Sequence, residues 1–174
     1  MNPLEQLAAW IEGEVVVMGI GNPLRGDDAA GSMVARRIAA PPGVSVIDAQ
    51  EVPENYFSLV ADRQPGTVVL IDSIDMDSAP GSVALLEQDQ IAGYCPSTHR
   101  VPLSLLMSVL DRTTEARVFA IGIQPAHTEF LEAMSDAVAE SVARVAGMLN
   151  RVLAEGRFAP RGLAAGSVRG EVSA

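Results

Sequence analysis

Glu14-Val-Val-Val-Met-Gly-Ile-Gly-Asn-Pro-Leu-Arg-Gly-Asp-Asp-Ala-Ala-Gly31 is the stretch from which the rest of the chain is read. Val15 to Ile20 is a short apolar run rich in β-branched residues, the pattern of a buried strand. Gly21-Asn22-Pro23 stops it, and Gly21 to Gly26 reads as a tight loop. Asp27 and Asp28 then stand immediately before a helical pattern of Ala30, Met33, Val34 and Ile38. The order is strand, glycine loop, paired carboxylates, helix. A dinucleotide-binding turn needs a third glycine at position 24, where Leu24 stands, and no Gly-Lys-Ser/Thr supports a phosphate loop. Two carboxylates at the loop's end would also repel a phosphate. Two readings remain open here. Asp27 or Asp28 holds a cation or activates water, or both aspartates only cap the helix, a position Asp favours.

Outward from this stretch, apolar runs and helical patterns alternate. A short helix over Leu4 to Ile11 precedes it. After it come a strand over Val44 to Ile47 closed by Asp48, and a helix from Pro53 to about Val60. A nearly all-apolar strand, Thr67 to Ile71, follows with Asp72 at its end. Ser82 to Leu86 reads as an edge strand and Glu87 to Pro96 as irregular. Pro102 opens a helix with Leu103, Leu106, Met107 and Leu110, and Arg117 to Ile123 is the fifth strand. The last helix shows a stripe of Leu131, Met134, Val138, Val142, Val145, Leu149 and Val152, a core-packing face. The fold class is therefore α/β: one domain over residues 1–154, a three-layer sandwich with a twisted, mostly parallel five-stranded sheet and helices on both faces. Residues 155–174, rich in Gly, Ala and Arg without periodicity, are expected to be a mobile tail.

Composition narrows the function classes. At 174 residues with 48% hydrophobic content, one folded core is expected. A net charge of −10 without a basic stretch argues against nucleic-acid and anionic-membrane binding. The single Cys95 excludes a disulfide framework and a Cys-rich zinc site. No signal peptide is evident, and no apolar run approaches the roughly 20 residues of a membrane span. The expectation is a soluble, cytoplasmic, monomeric protein. No Gly-x-Ser-x-Gly elbow is present, and Cys95 with His99 four residues on gives no reason to expect a nucleophile pair.

Sites in open α/β sheets form beyond the carboxyl ends of the strands. Asp28 follows the first strand, Asp72 ends the third, and His99 lies in the loop after the fourth. Topology thus brings Asp28, Asp72 and His99 to one rim. Two carboxylates and an imidazole suit a divalent transition metal with positions left open for water or substrate. Each residue also has a plain structural reading: a cap, a turn, a solvated loop. His127, beyond the fifth strand, reaches the same rim but reads as part of a helix entry.

The segments Gly19-Ile-Gly-Asn-Pro-Leu-Arg-Gly-Asp-Asp28, Val52-Pro-Glu-Asn55, Leu70-Ile-Asp-Ser-Ile-Asp-Met76, Ser97-Thr-His-Arg-Val-Pro-Leu103 and Ile121-Gly-Ile-Gln-Pro125 together resemble the [NiFe]-hydrogenase maturation endopeptidases. The order and gaps match over roughly the first 150 residues, most closely those of the formate-hydrogenlyase branch. The resemblance implies an aspartyl-type endopeptidase that removes a C-terminal extension from the hydrogenase large-subunit precursor after nickel insertion. It implies Asp28, Asp72 and His99 as metal contacts, Asp28 and Asp72 as the catalytic pair, and nickel supplied by the precursor. A maturation chaperone that binds nickel and precursor without proteolysis is the alternative. Ala29 stands where many members have Gly, and Asp28 where many have Glu. Ala29 is harmless if it occupies a first helical turn.

Overall fold

The computed structural model describes residues 3–91 and 101–156. Among the described residues there are five strands: β1 (Val15–Ile20), β2 (Val44–Gln50), β3 (Thr67–Ser73), β4 (Val83–Leu86) and β5 (Arg117–Ile123). They form one sheet in the order β2-β1-β3-β5-β4. Four strands run parallel, and β4 lies antiparallel on the β5 edge. Six α-helices accompany them: α1 (Pro3–Trp10), α2 (Ala30–Ala35), α3 (Phe57–Asp62), α4 (Gln88–Ile91), α5 (Leu103–Thr113) and α6 (Asp136–Glu155).

The near-continuous apolar runs of β1, β3 and β5 follow from burial on both faces. Successive side chains point to opposite sides of a strand. Val15, Val17, Val69, Ile71, Phe119 and Ile121 accordingly pack under α1, α2 and α6. Val16, Met18, Val68, Leu70 and Ala120 pack under α3, α4 and α5. The expected three-layer architecture is the one found. On the first face, Trp10 meets Phe119 edge-on at 5.1 Å between ring centroids, a favoured aromatic geometry.

Several boundaries differ from expectation. α2 stops at Ala35, short of Pro41. Asn150 of α6 accepts the Ala39 N–H at 2.8 Å and donates to the Arg37 carbonyl at 2.9 Å, fixing the chain in a turn where the helix pattern would continue. β2 runs on through Asp48, which is held by Ser32 Oγ (2.7 Å) and Arg36 Nε (2.7 Å). α4 interrupts the stretch expected to be irregular. α6 begins at Asp136, so Leu131 is not part of its stripe: it is 74% exposed with φ 64°. Its far end is Glu155. The tail beyond 156 lies outside the described residues, as does His99.

In-register parallel pairing carries the strand ends to one level. Ile71 of β3 is opposite Gly19 of β1 and Ile121 of β5. The loops after β1, β3 and β5 therefore share one rim of the sheet.

Candidate active site

The glycine loop reaches the rim through a close approach of backbone to backbone. A Cβ at Gly31 would collide with the carbonyl oxygens of Ile71 and Ile20. Only glycine lets α2 sit this tightly across the ends of β1 and β3. The loop then turns into a 3₁₀ segment, Gly26–Ala29, and α2 continues from it. Ala29 has φ −66° and ψ −9°, a helical conformation that any L-residue adopts, so the departure from Gly is without strain.

Asp27 and Asp28 sit in this 3₁₀ turn, 0% and 1% exposed. The cap positions of the 3₁₀ segment and of α2 are Arg25 and Ala29, and neither carries a side-chain cap bond. The two aspartates do different things. Asp27 reaches across to the segment between β5 and α6. Its Oδ1 accepts the Ser135 N–H at 2.7 Å. Its Oδ2 accepts Ala126 N–H (2.7 Å), Ser135 Oγ (2.8 Å) and His127 N–H (3.3 Å). Burial pushes the Asp27 carboxyl up, but the hydrogen bonds from Ser135, Ala126 and His127 outweigh it. They hold the group below its ordinary value of 3.8. Backbone bonds complete the staple: Asp27 N–H to the His127 carbonyl (3.1 Å), Gly26 N–H to Glu132 (3.2 Å) and Leu131 N–H to Leu24 (2.7 Å).

Asp28 turns the other way, toward β3. Its Oδ2 accepts the Asn22 N–H at 2.9 Å, and its Oδ1 lies 3.4 Å from Ser73 Oγ. Ser73 is the residue next to Asp72, which is itself 0% exposed and pairs with Gly122 of β5. By strand alternation Asp72 shares the face of Val68 and Leu70, and Ser73 that of Ile71. Asp28 thus meets the end of β3 one residue from Asp72. The two expected carboxylates stand at the same strand end, both buried. Among the described residues no group of three His, Cys, Asp or Glu side chains forms a metal cluster. The third expected ligand, His99, is outside those residues.

His127 sits in the loop rather than at a helix entry. Its ring lies against Gly26, where φ is 50° and a Cβ would fall 2.8 Å from His127 Nδ1. That nitrogen is 3.7 Å from Glu129 Oε2.

Two residues of this rim escaped the sequence reading. Ser135 is half of the Asp27 staple, 108 positions away, and nothing local marks it. Gln124, 6% exposed, is the other. Its Oε1 accepts Met76 N–H (2.6 Å) and Ser78 N–H (3.3 Å), and its Nε2 donates to Asp75 Oδ1 (3.1 Å). The bonds from Gln124 and the Asp77 N–H hold the exposed Asp75 carboxyl below its ordinary value. One buried amide thereby shapes the loop that follows Asp72. Its signal was present in the sequence: an amide between an apolar strand and a proline, where a polar side chain is buried only with partners.

Known proteins are similar to this chain in sequence and in fold. The family model described as HycI, hydrogenase maturation protease, matches residues 30–152. The hydrogenase 3 maturation protease of Escherichia coli K12 is 31% identical over 147 residues, 83% of this chain and 94% of that protein. A putative hydrogenase maturation protease of Methanocaldococcus jannaschii is 32% identical over 127 residues, 67% of this chain and 75% of that protein. The crystal structure of the [NiFe] hydrogenase maturation protease HycI from Thermococcus kodakarensis KOD1 superposes with a TM-score of 0.79. It is 31% identical and covers 86% of this chain and 99% of its own. On the family model, these relatives and the shared fold, the chain is a peptidase that belongs to the HycI family of hydrogenase maturation proteases.

Proposed function

We propose that this peptidase removes the C-terminal extension of a [NiFe]-hydrogenase large-subunit precursor, and that it acts after nickel has been inserted. Asp28 and Asp72 form the catalytic pair, and with His99 they contact the nickel ion, which arrives as part of the substrate. The observation that supports this most is that two buried carboxylates lie at the end of β3: Asp72 within the strand, and Asp28 held by Asn22 N–H and against Ser73 Oγ, next to Asp72 in sequence. Buried carboxylates are expensive to keep unless paired or used. An oxygen-rich donor set with one imidazole suits a divalent first-row metal such as nickel.

The chemistry is peptide hydrolysis. A water oxygen attacks the scissile carbonyl carbon, and a carboxylate takes the water's proton. The C–N bond then breaks, and the proton passes to the departing amine. Nickel in the precursor supplies Lewis acidity or a recognition handle. Asp28 is the better placed base, because two donors fix its carboxylate at the rim where loops admit substrate. No described helix is long and apolar enough to cross a membrane; action as a monomer in the cytoplasm is part of the proposal.

The test is a processing assay read by intact mass, using the large-subunit precursor with and without nickel. Loss of the extension only from the loaded form supports the reading. A stable complex without a mass change would replace it with the maturation-chaperone reading.

A further inference from the structure

The three most exposed large apolar side chains among the described residues are Leu131 (74%), Phe130 (58%) and Leu24 (55%). They are not scattered. Leu24 belongs to the glycine loop, and its carbonyl accepts the Leu131 N–H at 2.7 Å. Leu24 is itself locked, with its N–H on Asn22 Oδ1 at 2.8 Å. Leu131 holds φ 64°, a conformation that branched L-residues rarely adopt. The Asp27 staple to Ala126, His127 and Ser135 keeps this loop in place. A strained, rigidly held leucine that faces solvent has no role in the core, and strain of this kind collects where ligands are gripped.

We infer that Leu24, Phe130 and Leu131 form a docking ledge for an apolar segment of the precursor polypeptide close to the scissile bond. The inference rests on the reading of Asp28 as part of the hydrolytic site. The occupant follows from continuity with that site. Leu24 lies four residues before Asp28, so their Cα atoms are at most roughly 14 Å apart. An extended chain rises about 3.3 Å per residue. A polypeptide whose scissile bond is at Asp28 therefore covers Leu24 within about four residues of that bond. The exposed Glu129 and Glu132 bracket Phe130 and Leu131 in sequence. They repel an acidic segment and favour one that is apolar, with neutral or basic flanks. A rigid apolar ledge also binds without first ordering its own side chains, which strengthens docking.

The experiment compares the full chain with Leu131→Gly and with the double variant Leu24→Ser/Phe130→Ser, on the nickel-loaded precursor. Glycine accepts φ 64° without strain, so Leu131→Gly is expected to keep or raise the melting temperature while KM rises roughly fivefold. The double variant is expected to raise KM roughly tenfold or more, with kcat within about threefold of the parent. An unchanged KM in both variants overturns the ledge, and so does a loss confined to kcat. If the parent chain cleaves no precursor, the functional reading itself fails and the ledge falls with it. That outcome is distinguished by the parent measurement alone.

Discussion

The two ends of the sheet are joined by polar contacts of opposite character. At the amino end, Thr67 Oγ1 accepts the Glu12 N–H at 2.9 Å and donates to the Glu12 carbonyl at 2.8 Å. Gly66 N–H closes on the Glu14 carbonyl, and Arg117 N–H on that of Gly66. A neutral hydroxyl and the backbone suffice to bind the loop. A depression of about 330 Å³ lies at this end too, between Ala61, Gln64, Pro65, Thr113, Thr114 and Glu115. No buried carboxylate lines it. At the carboxyl end, Asp27, Asp28 and Asp72 are all removed from solvent. Like charges packed together oppose folding, and one end of a sheet can be closed without them, as the other end demonstrates. The difference is the ground on which the proposed chemistry is assigned to the carboxyl rim rather than to the hollow. It also makes the carboxyl rim the place where activity and stability part company.

The largest expected effect tests that separation. Asp28→Asn and Asp72→Asn should each lower precursor processing by about 10²–10⁴-fold, the usual worth of a positioned acid–base group. The melting temperature should hold or rise, since a buried charge is removed. Intact-mass kinetics and thermal melts on the same samples check both halves. A variant that loses stability and activity in proportion would turn the rim back into structural scaffolding.

Gly31→Ala comes next and breaks the rim by shape rather than charge. The added methyl meets the Ile71 and Ile20 carbonyls, which must move apart. A destabilisation of about 3 kcal/mol or more is expected from overpacking against backbone. Activity per folded molecule should fall as well, because α2 carries Asp28 away from Ser73. Chemical denaturation and assay at a temperature where the variant is folded separate the two.

Asp27 tests the rim through pH. Its carboxyl is held below its ordinary value in the fold. The unfolded chain therefore binds the proton more readily, and protonation favours unfolding. The stabilisation is present in full above the unfolded value near 3.8, and is lost as pH falls through the lower folded value. Asp27→Asn removes this dependence and should be about 2–4 kcal/mol less stable at pH 7, because an amide nitrogen faces backbone donors. Urea midpoints at neutral and acid pH should converge for the two proteins. Parallel curves would show that the staple does not depend on charge.

How far the sequence carried this comparison depends on the range of each contact. β1 and β5 were legible to the residue, because apolar β-branched runs end at Gly21 and at Gln124-Pro125. That the loops after β1, β3 and β5 reach one rim was legible from topology, since parallel strands place their following loops together. The roles of the aspartate pair were not. A carboxylate before a helical pattern reads as a cap, yet Asp27 finds its donors 99 to 108 positions away. Leu131 fits the spacing of the α6 stripe, and only the bond to Leu24 and the engagement of Ser135 with Asp27 show why the helix begins later. The early stop of α2 has the same origin, in Asn150. Local periodicity was readable, and long-range polar contacts were not.

The smallest effect belongs to the amino end and isolates it as structure alone. Thr67 is fully buried, and its hydroxyl both gives and receives a bond at Glu12. Thr67→Val keeps the shape of the side chain and the β-branched fit to the strand, but removes that hydroxyl. Desolvated backbone groups of Glu12 are then served less well, and the expected loss is about 1–2 kcal/mol. Nothing in β3 should shift at Asp72, because the strand pairs with β5 over its whole length and with β1 as far as Ile71. Processing of the precursor should therefore keep its kcat and KM while the denaturation midpoint falls. An altered KM would mean that β3 transmits a change from one end of the sheet to the other. The carboxylates at its far end would then be coupled to the amino rim.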